Sequence, residues 1–176
     1  PGCGVAPDIP GVPDRATVLQ AIIARLDLVP GQVLLVAPCG DGALATDLAT
    51  ALPRGVRVLG VDADPNAIIR ARSATHALRP EIARDLAWRV ASPQAITVAS
   101  GSCGGAVIDA TRLPNGEHAD ATIREVARTV LPGGWVVAVV DVTDPVNVAT
   151  VRDALVRCNL RECAVGDGLA WGRKAL

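Results

Sequence analysis

Gln32-Val-Leu-Leu-Val-Ala-Pro-Cys-Gly-Asp-Gly42, followed by the apolar stretch Ala43 to Leu52, decides how this chain folds. Val33 to Ala37 is a short continuous apolar run, the signature of a strand covered on both faces. Pro38 to Gly42 is a turn, in which Gly40 and Gly42 let the backbone bend sharply and lie close to a ligand. Ala43 to Leu52 reads as a helix that Pro53 stops. Val56 to Asp62 is a second buried strand, and Pro65 opens the next helix, with an apolar stripe through Ile68, Ile69 and Ala71. Strand, tight turn, helix and strand make a βαβ unit, whose crossover is right-handed.

Toward the N-terminus, Pro and Gly dominate residues 1–13, which read as an arm or linker. Asp14 then caps a helix through Leu28, with Val18, Leu19, Ile22, Ile23 and Leu26 at helical spacing before Pro30-Gly31. Toward the C-terminus, a short helix after Pro80 precedes a strand at Leu86 to Val90. A loop through Ser100 to Gly105 leads to a strand at Ala106 to Asp109. A helix over 119–131 ends at Pro132-Gly133-Gly134, a strand runs from Trp135 to Val142, and Pro145 opens a helix to about Asn159. Arg161 to Gly166 and Leu169 to Lys174 flank Asp167-Gly168, a two-residue hairpin signal. The pattern predicts one α/β domain over 14–176. Its sheet is doubly wound, seven-stranded and mostly parallel, and it closes with an antiparallel C-terminal hairpin strand.

The composition of the 176 residues excludes several classes. Half are hydrophobic, yet no apolar run approaches the ~20 residues that span a bilayer, so no membrane span is expected. A net charge of −1 leaves no cationic surplus for nucleic acid. Met, Phe and Tyr are absent, three Trp are the only aromatics, and Lys174 is the single lysine among 17 basic residues. The core is therefore expected from Val, Leu, Ile and Ala. Five Cys (3, 39, 103, 158 and 163) with no C-x-x-C pair argue against a complete disulfide framework and against a metal site. No signal segment is seen before the domain, and a reducing cytoplasm is the expected location.

In a doubly wound sheet, ligands lie beyond the carboxyl ends of the strands where strand order reverses. That rule gathers Pro38 to Gly42, Asp62, Ser92 and Asp109 around one crevice, with the N-terminus of the 43–52 helix pointing at it. Asp62, twenty residues after Gly42 and at the end of the second strand, suits the two hydroxyls of a ribose. Gly40, Gly42 and Ala45 also satisfy the G-x-G-x-x-A dinucleotide pattern.

Over about residues 26–142 the chain resembles the class I S-adenosylmethionine-dependent methyltransferases, a Rossmann-like superfamily. The likeness rests on Leu28-Val-Pro-Gly-Gln-Val-Leu-Leu-Val36, the Cys39-Gly-Asp-Gly42 loop and Gly60-Val-Asp-Ala-Asp-Pro65 with Ala71-Arg72. It rests also on Arg124-Glu-Val-Ala-Arg-Thr-Val-Leu-Pro-Gly-Gly-Trp135. The last stretch discriminates best, because a helix running into Pro-Gly-Gly is no part of the dinucleotide pattern. The resemblance implies S-adenosylmethionine as cofactor. Ala37, Pro38, Cys39, Gly40 and Gly42 would line its methionine and ribose, and Asp62 would hold the ribose hydroxyls. Ala63 would lie on the adenine, Ser92 near its exocyclic amine, and Asp109 with Ala110 beneath the sulfonium.

Three positions depart from the family pattern: Val36 replaces an acid, Pro38 the first loop glycine, and Ser92 an adenine-reading carboxylate. Losing a charged hydrogen bond of this kind costs about 1.5–3 kcal/mol if nothing replaces it.

The catalytic residue is left unassigned. His118, near the start of the helix before the fifth strand, is the candidate base over the fourth and fifth strand ends, against a plain capping or surface role. His76 fits a favourable charge at a helix C-terminus, Cys39 a small packing residue, and Arg112 either a partner for a substrate anion or a surface arginine. Asp109-Ala-Thr-Arg-Leu-Pro114 lacks the Asn/Asp-Pro-Pro-aromatic motif of enzymes that methylate nucleic-acid amines, and no Pro-Cys pair lies there.

The leading expectation is methyl transfer to an oxygen, nitrogen or carbon of a small molecule. A catalytically inactive binding or dimerisation module on the same fold is the alternative, and an NAD-dependent oxidoreductase the third reading. A homodimer is left open.

Overall fold

The computed structural model describes residues 13–113 and 117–176, so all of the expected arm but Pro13 lies outside the described residues. Helix α1 (Arg15–Leu26) leads into β1 (Val33–Val36), α2 (Ala43–Ala51), β2 (Arg57–Asp62) and α3 (Pro65–Thr75). A single turn, α4 (Pro80–Ala83), precedes β3 (Leu86–Val90), β4 (Cys103–Asp109) and a 3-10 turn over Ala110–Arg112. The rest is α5 (Glu117–Thr129), β5 (Val130–Val139), α6 (Pro145–Arg157), β6 (Leu160–Gly166) and β7 (Leu169–Lys174). Three helices start on an aspartate that accepts from the first turn: Asp14 from Thr17 at 2.7 Å, Asp64 from Asn66 at 2.8 Å, and Asp144 from Val146 at 2.9 Å. Such a side chain satisfies an amide that the helix itself cannot, and Pro65 and Pro145 fill first positions that need no donor.

All seven strands join one sheet in the order β3-β2-β1-β4-β5-β7-β6. Strands β1 to β5 are mutually parallel, and β7 runs antiparallel to both β5 and β6. This is the expected doubly wound α/β sheet with its reversed C-terminal hairpin. The hairpin turns on Asp167 (φ 54°) and Gly168 (φ 74°), both left-handed as a tight two-residue connection requires.

Successive residues of each central strand serve opposite layers. Leu34 and Val36 of β1 join Val58, Val107 and Val137 beneath Ile22, Leu26, Leu48 and Ile68 of α1, α2 and α3. Leu35, Ala106, Ile108, Val136 and Ala138 face Ile123, Val126, Val151 and Leu155 of α5 and α6. Burying one of these Leu or Ile side chains is worth about 1.5–3 kcal/mol. A core of branched aliphatics therefore suffices without Phe, Tyr or Met.

Two strand starts differ from the sequence reading. Strand β4 begins at Cys103, through glycines expected in a loop, and β5 begins at Val130 and carries Pro132-Gly133-Gly134 within it. Cys103 pairs with Val130, and the register then shifts before Gly105 meets Trp135. That bulge accommodates the Pro-Gly-Gly segment. Strand β5 also ends at Val139, earlier than expected. Lys174 Nζ donates to the carbonyls of Arg128 (3.2 Å) and Val130 (2.6 Å), which ties the end of β7 to the end of α5.

Candidate functional site

Strand order reverses between β1 and β4, and the Pro38–Gly42 loop emerges there. Three backbone bonds hold the loop: Ala37 N to Val107 O (3.0 Å), Cys39 N to Val61 O (2.9 Å) and Gly42 N to Cys39 O (3.0 Å). The Ala37–Pro38 peptide is cis. Gly40 (φ 55°) and Gly42 (φ 85°) both take left-handed backbone, and Thr46 N donates to Gly42 O to begin α2.

Asp62, at the end of β2, organises this corner. Its Oδ2 accepts from the Gly40 amide at 2.7 Å and its Oδ1 from the Asp64 amide at 2.9 Å. One carboxylate thus fixes the glycine loop and the entry to α3. An ionised carboxylate has about four acceptor positions, so about two remain for a ligand.

The glycines have separate packing reasons. A Cβ at Gly42 would sit 2.5 Å from the far edge of the Trp88 indole and 2.8 Å from Ala71, and a Cβ at Gly60 would run into the same ring. Trp88 is itself pinned, its Nε1 donating to Thr75 Oγ1 at 2.9 Å. Gly40 faces the other way: a Cβ there would lie 2.7 Å from Arg112 Cζ. Arg112 Nε donates to Asp109 Oδ2 at 2.8 Å, and Thr111 Oγ1 donates to Asp109 Oδ1 at 2.5 Å.

A cavity of about 330 Å³ opens beside the loop, walled by Cys39, Asp41, Asp109, Thr111, Arg112 and Val139 and by Arg15, Val18 and Leu19 of α1. Arg15 pairs there with Asp47 at 2.6 Å. Of the expected site residues, Cys39 and Asp109 line this cavity. Ala37, Pro38, Cys39, Gly40 and Gly42 are buried, Asp62 is half-buried, and Ala63 and Ser92 are exposed. Ser92 Oγ accepts from the Gln94 amide at 3.2 Å in a turn after β3. The contribution of α1, the Arg112 contact on Gly40 and the Trp88 wall were not read from the sequence.

Burial, reinforced by the Asp62 charge, pushes the Cys39 thiol up to about 12. It is a packing group and no nucleophile at neutral pH. His118, exposed in the first turn of α5, meets Gln94 on the connection from β3 to β4, with 3.0 Å between Nδ1 and Nε2. Among the described residues no group of three or more His, Cys, Asp or Glu is placed to hold a metal ion, and no helix is long and apolar enough to cross a membrane.

The sequence profile described as the methyltransferase domain matches residues 34–134, more than half of the 176. The chain belongs to the class I S-adenosylmethionine-dependent methyltransferases. S-adenosylmethionine is the cofactor of these methyltransferases. The matched span runs from β1 through the Pro-Gly-Gly segment, so the NAD reading of the Gly40–Ala45 pattern gives way to it.

No curated protein sequence matches the chain. Solved structures share its fold. The S-adenosylmethionine-dependent O-methyltransferase of Thermotoga maritima matches with a TM-score of 0.75 and 13% identity over 90% of this chain and 65% of that one. Geranyl diphosphate C-methyltransferase from Streptomyces coelicolor A3(2), in complex with Mg2+, geranyl diphosphate and S-adenosyl-L-homocysteine, matches with a TM-score of 0.60 and 18% identity, covering 70% of this chain and 44% of that one. The cyclase SpnF matches with a TM-score of 0.66 and 16% identity over 80% of this chain and 56% of that one. This chain spans less than half the length of the geranyl diphosphate enzyme.

Proposed function

We propose that this methyltransferase domain binds S-adenosylmethionine across the Pro38–Gly42 loop and transfers its methyl group to a small-molecule nucleophile. The observation that carries the reading is that one loop is bound to Asp62 on one side and walls the cavity beside Asp109 on the other. The residues present suit the cofactor. Gly40 offers bare backbone to a ligand that moves the Arg112 guanidinium aside, Asp62 keeps acceptor positions for ribose hydroxyls, and the α2 N-terminus faces the loop. When bound, the cofactor supplies an electrophilic methyl on a sulfonium, displaced in line.

The chain's own part is placement. Asp62 holds the loop in shape before any ligand arrives, so less ordering is needed on binding. The α1 side chains Val18 and Leu19 with Val139 give the cavity an apolar wall that limits water near the reacting atoms. About 330 Å³ is the size of a small-molecule site, and the net charge of −1 offers nothing to a polyanion. The geranyl diphosphate bound to the Streptomyces relative supports a small substrate here.

Titration with S-adenosyl-L-homocysteine by calorimetry tests the reading. Saturable binding that Asp62→Ala weakens is expected, and no heat at millimolar ligand overturns it.

A second reading, a binding module without turnover, draws on a specific feature. Val36, Pro38 and Ser92 stand where the family pattern has cofactor contacts, and Val36 and Pro38 are buried away from solvent. Binding of the cofactor with no methyl transfer to any acceptor in a small-molecule library would favour it.

A further inference from the structure

The Arg112 guanidinium rests on Gly40, on the backbone surface where the proposed cofactor would lie. Its Cζ, one terminal nitrogen and Nε all come within 3.0 Å of the position a Gly40 Cβ would take. Among the described residues one ion pair holds it there, Nε to Asp109 Oδ2 at 2.8 Å, with the arginine side chain 51% exposed and the aspartate 17%. Pairs this exposed are weak, so a ligand can displace the guanidinium. It cannot remove it from the site, because Arg112 belongs to the 3-10 turn directly after β4.

We propose that Arg112 is a specificity-determining residue that covers Gly40 in the free protein and sets the charge preference of the cofactor site. This rests on the reading that the cofactor occupies the Pro38–Gly42 loop. Any ligand on Gly40 displaces the guanidinium from Asp109. The displaced cation stays beside the same cavity, where it opposes a sulfonium and leaves a neutral thioether alone. Arg112 thus lowers affinity for both cofactor forms by covering the loop, and lowers it further for the methyl donor by its charge.

Calorimetric affinities of wild type, Arg112→Ala and Arg112→Lys for S-adenosylmethionine and S-adenosyl-L-homocysteine test this. Arg112→Ala is expected to tighten the homocysteine form about threefold, and the sulfonium form by more, since both the cover and the charge go. Arg112→Lys keeps the charge without the flat cover, so it is expected to tighten both ligands equally. Equal affinities for wild type and Arg112→Ala overturn the proposal and leave the cofactor reading standing. Weaker binding by Arg112→Ala also overturns it, because the guanidinium would then be a direct ligand of the cofactor. If no variant binds either compound, this inference falls together with the cofactor reading.

Discussion

Asp62 and Gly40, twenty-two residues apart, are joined by a 2.7 Å hydrogen bond from the loop amide to the carboxylate that ends β2. The Asp64 amide uses the other oxygen of the same group. Asp62→Ala therefore strips two amides of their acceptor while removing the proposed ribose ligand. The Asp64 amide is exposed and the Gly40 amide part-buried, so the stability loss is expected at about 1–3 kcal/mol, read as a lower midpoint in urea. Affinity for S-adenosyl-L-homocysteine is expected to fall tenfold or more, a loss on the order of 1.4 kcal/mol. Unchanged affinity would remove Asp62 from the cofactor site.

Gly42 and Gly31 form a matched pair for separating crowding from backbone strain. Both have left-handed φ, 85° and 94°, but a Cβ at Gly31 meets nothing within 4 Å, whereas one at Gly42 strikes the Trp88 ring. Gly31→Ala is expected to cost about 1 kcal/mol from strain alone. Gly42→Ala is expected to cost a further 1–3 kcal/mol, roughly the penalty of overpacking. Equal losses in urea titration would show that Trp88 yields freely.

Burial first, and the Asp62 charge second, carry the Cys39 thiol from its ordinary 9.0 to about 12. Burial likewise raises Cys103. Neither thiol is expected to take up iodoacetamide at pH 8 until the protein unfolds, as peptide mapping after labelling would show. The same shift sets an alkaline limit. The folded state holds the Cys39 proton more tightly than the unfolded chain, so this contribution is intact below about pH 9 and is lost as pH climbs toward 12. Cys39→Ser is expected to soften that alkaline decline, measured by midpoints between pH 8 and 10.5.

Arg128 clamps the connection from β3 to β4. It donates to Ile96 O (3.0 Å), Val98 O (2.8 Å) and Ser100 Oγ (2.9 Å) while its fork grips Glu125 at 2.8 Å. Arg128→Ala is expected to cost about 2–3 kcal/mol, with Arg128→Lys recovering only part because it lacks the planar fork. The Arg128 hydrogen bond is the main reason the Glu125 carboxyl titrates below its usual 4.5. That stabilisation is present above pH 4.5 and disappears as pH falls through the lowered value. Glu125→Gln is expected to flatten the acid limb of the stability curve.

The βαβ frame was legible because its signals are local: an apolar run, two glycines, a proline stop, and Asp167-Gly168 for the closing hairpin. The start of β4 was not. Gly104 and Gly105 look like loop residues, yet they lie in a strand because Leu28, Gln32 and Leu26 fill the space their side chains would need. That requirement comes from residues some 75 positions earlier in the chain, and no window around the glycines reveals it. The site divides the same way. Asp62 declared itself by its spacing from Gly42, whereas the approach of Arg112 to Gly40 depends on two strand ends that only the folded sheet makes neighbours. His118 was placed by its helix, but its contact with Gln94 is set by a connection whose path is irregular.

Trp88 touches the site from below, its ring filling the room over Gly42 and Gly60. The other two tryptophans lie elsewhere, Trp171 against the Arg25 guanidinium at 3.8 Å and Trp135 near Arg173 at 5.4 Å. With no tyrosine in the chain, ultraviolet emission comes from these three indoles alone. Replacing Trp135 and Trp171 by Phe would leave one fluorophore seated directly under the glycine loop, an optical gauge of loop occupancy that needs no attached dye.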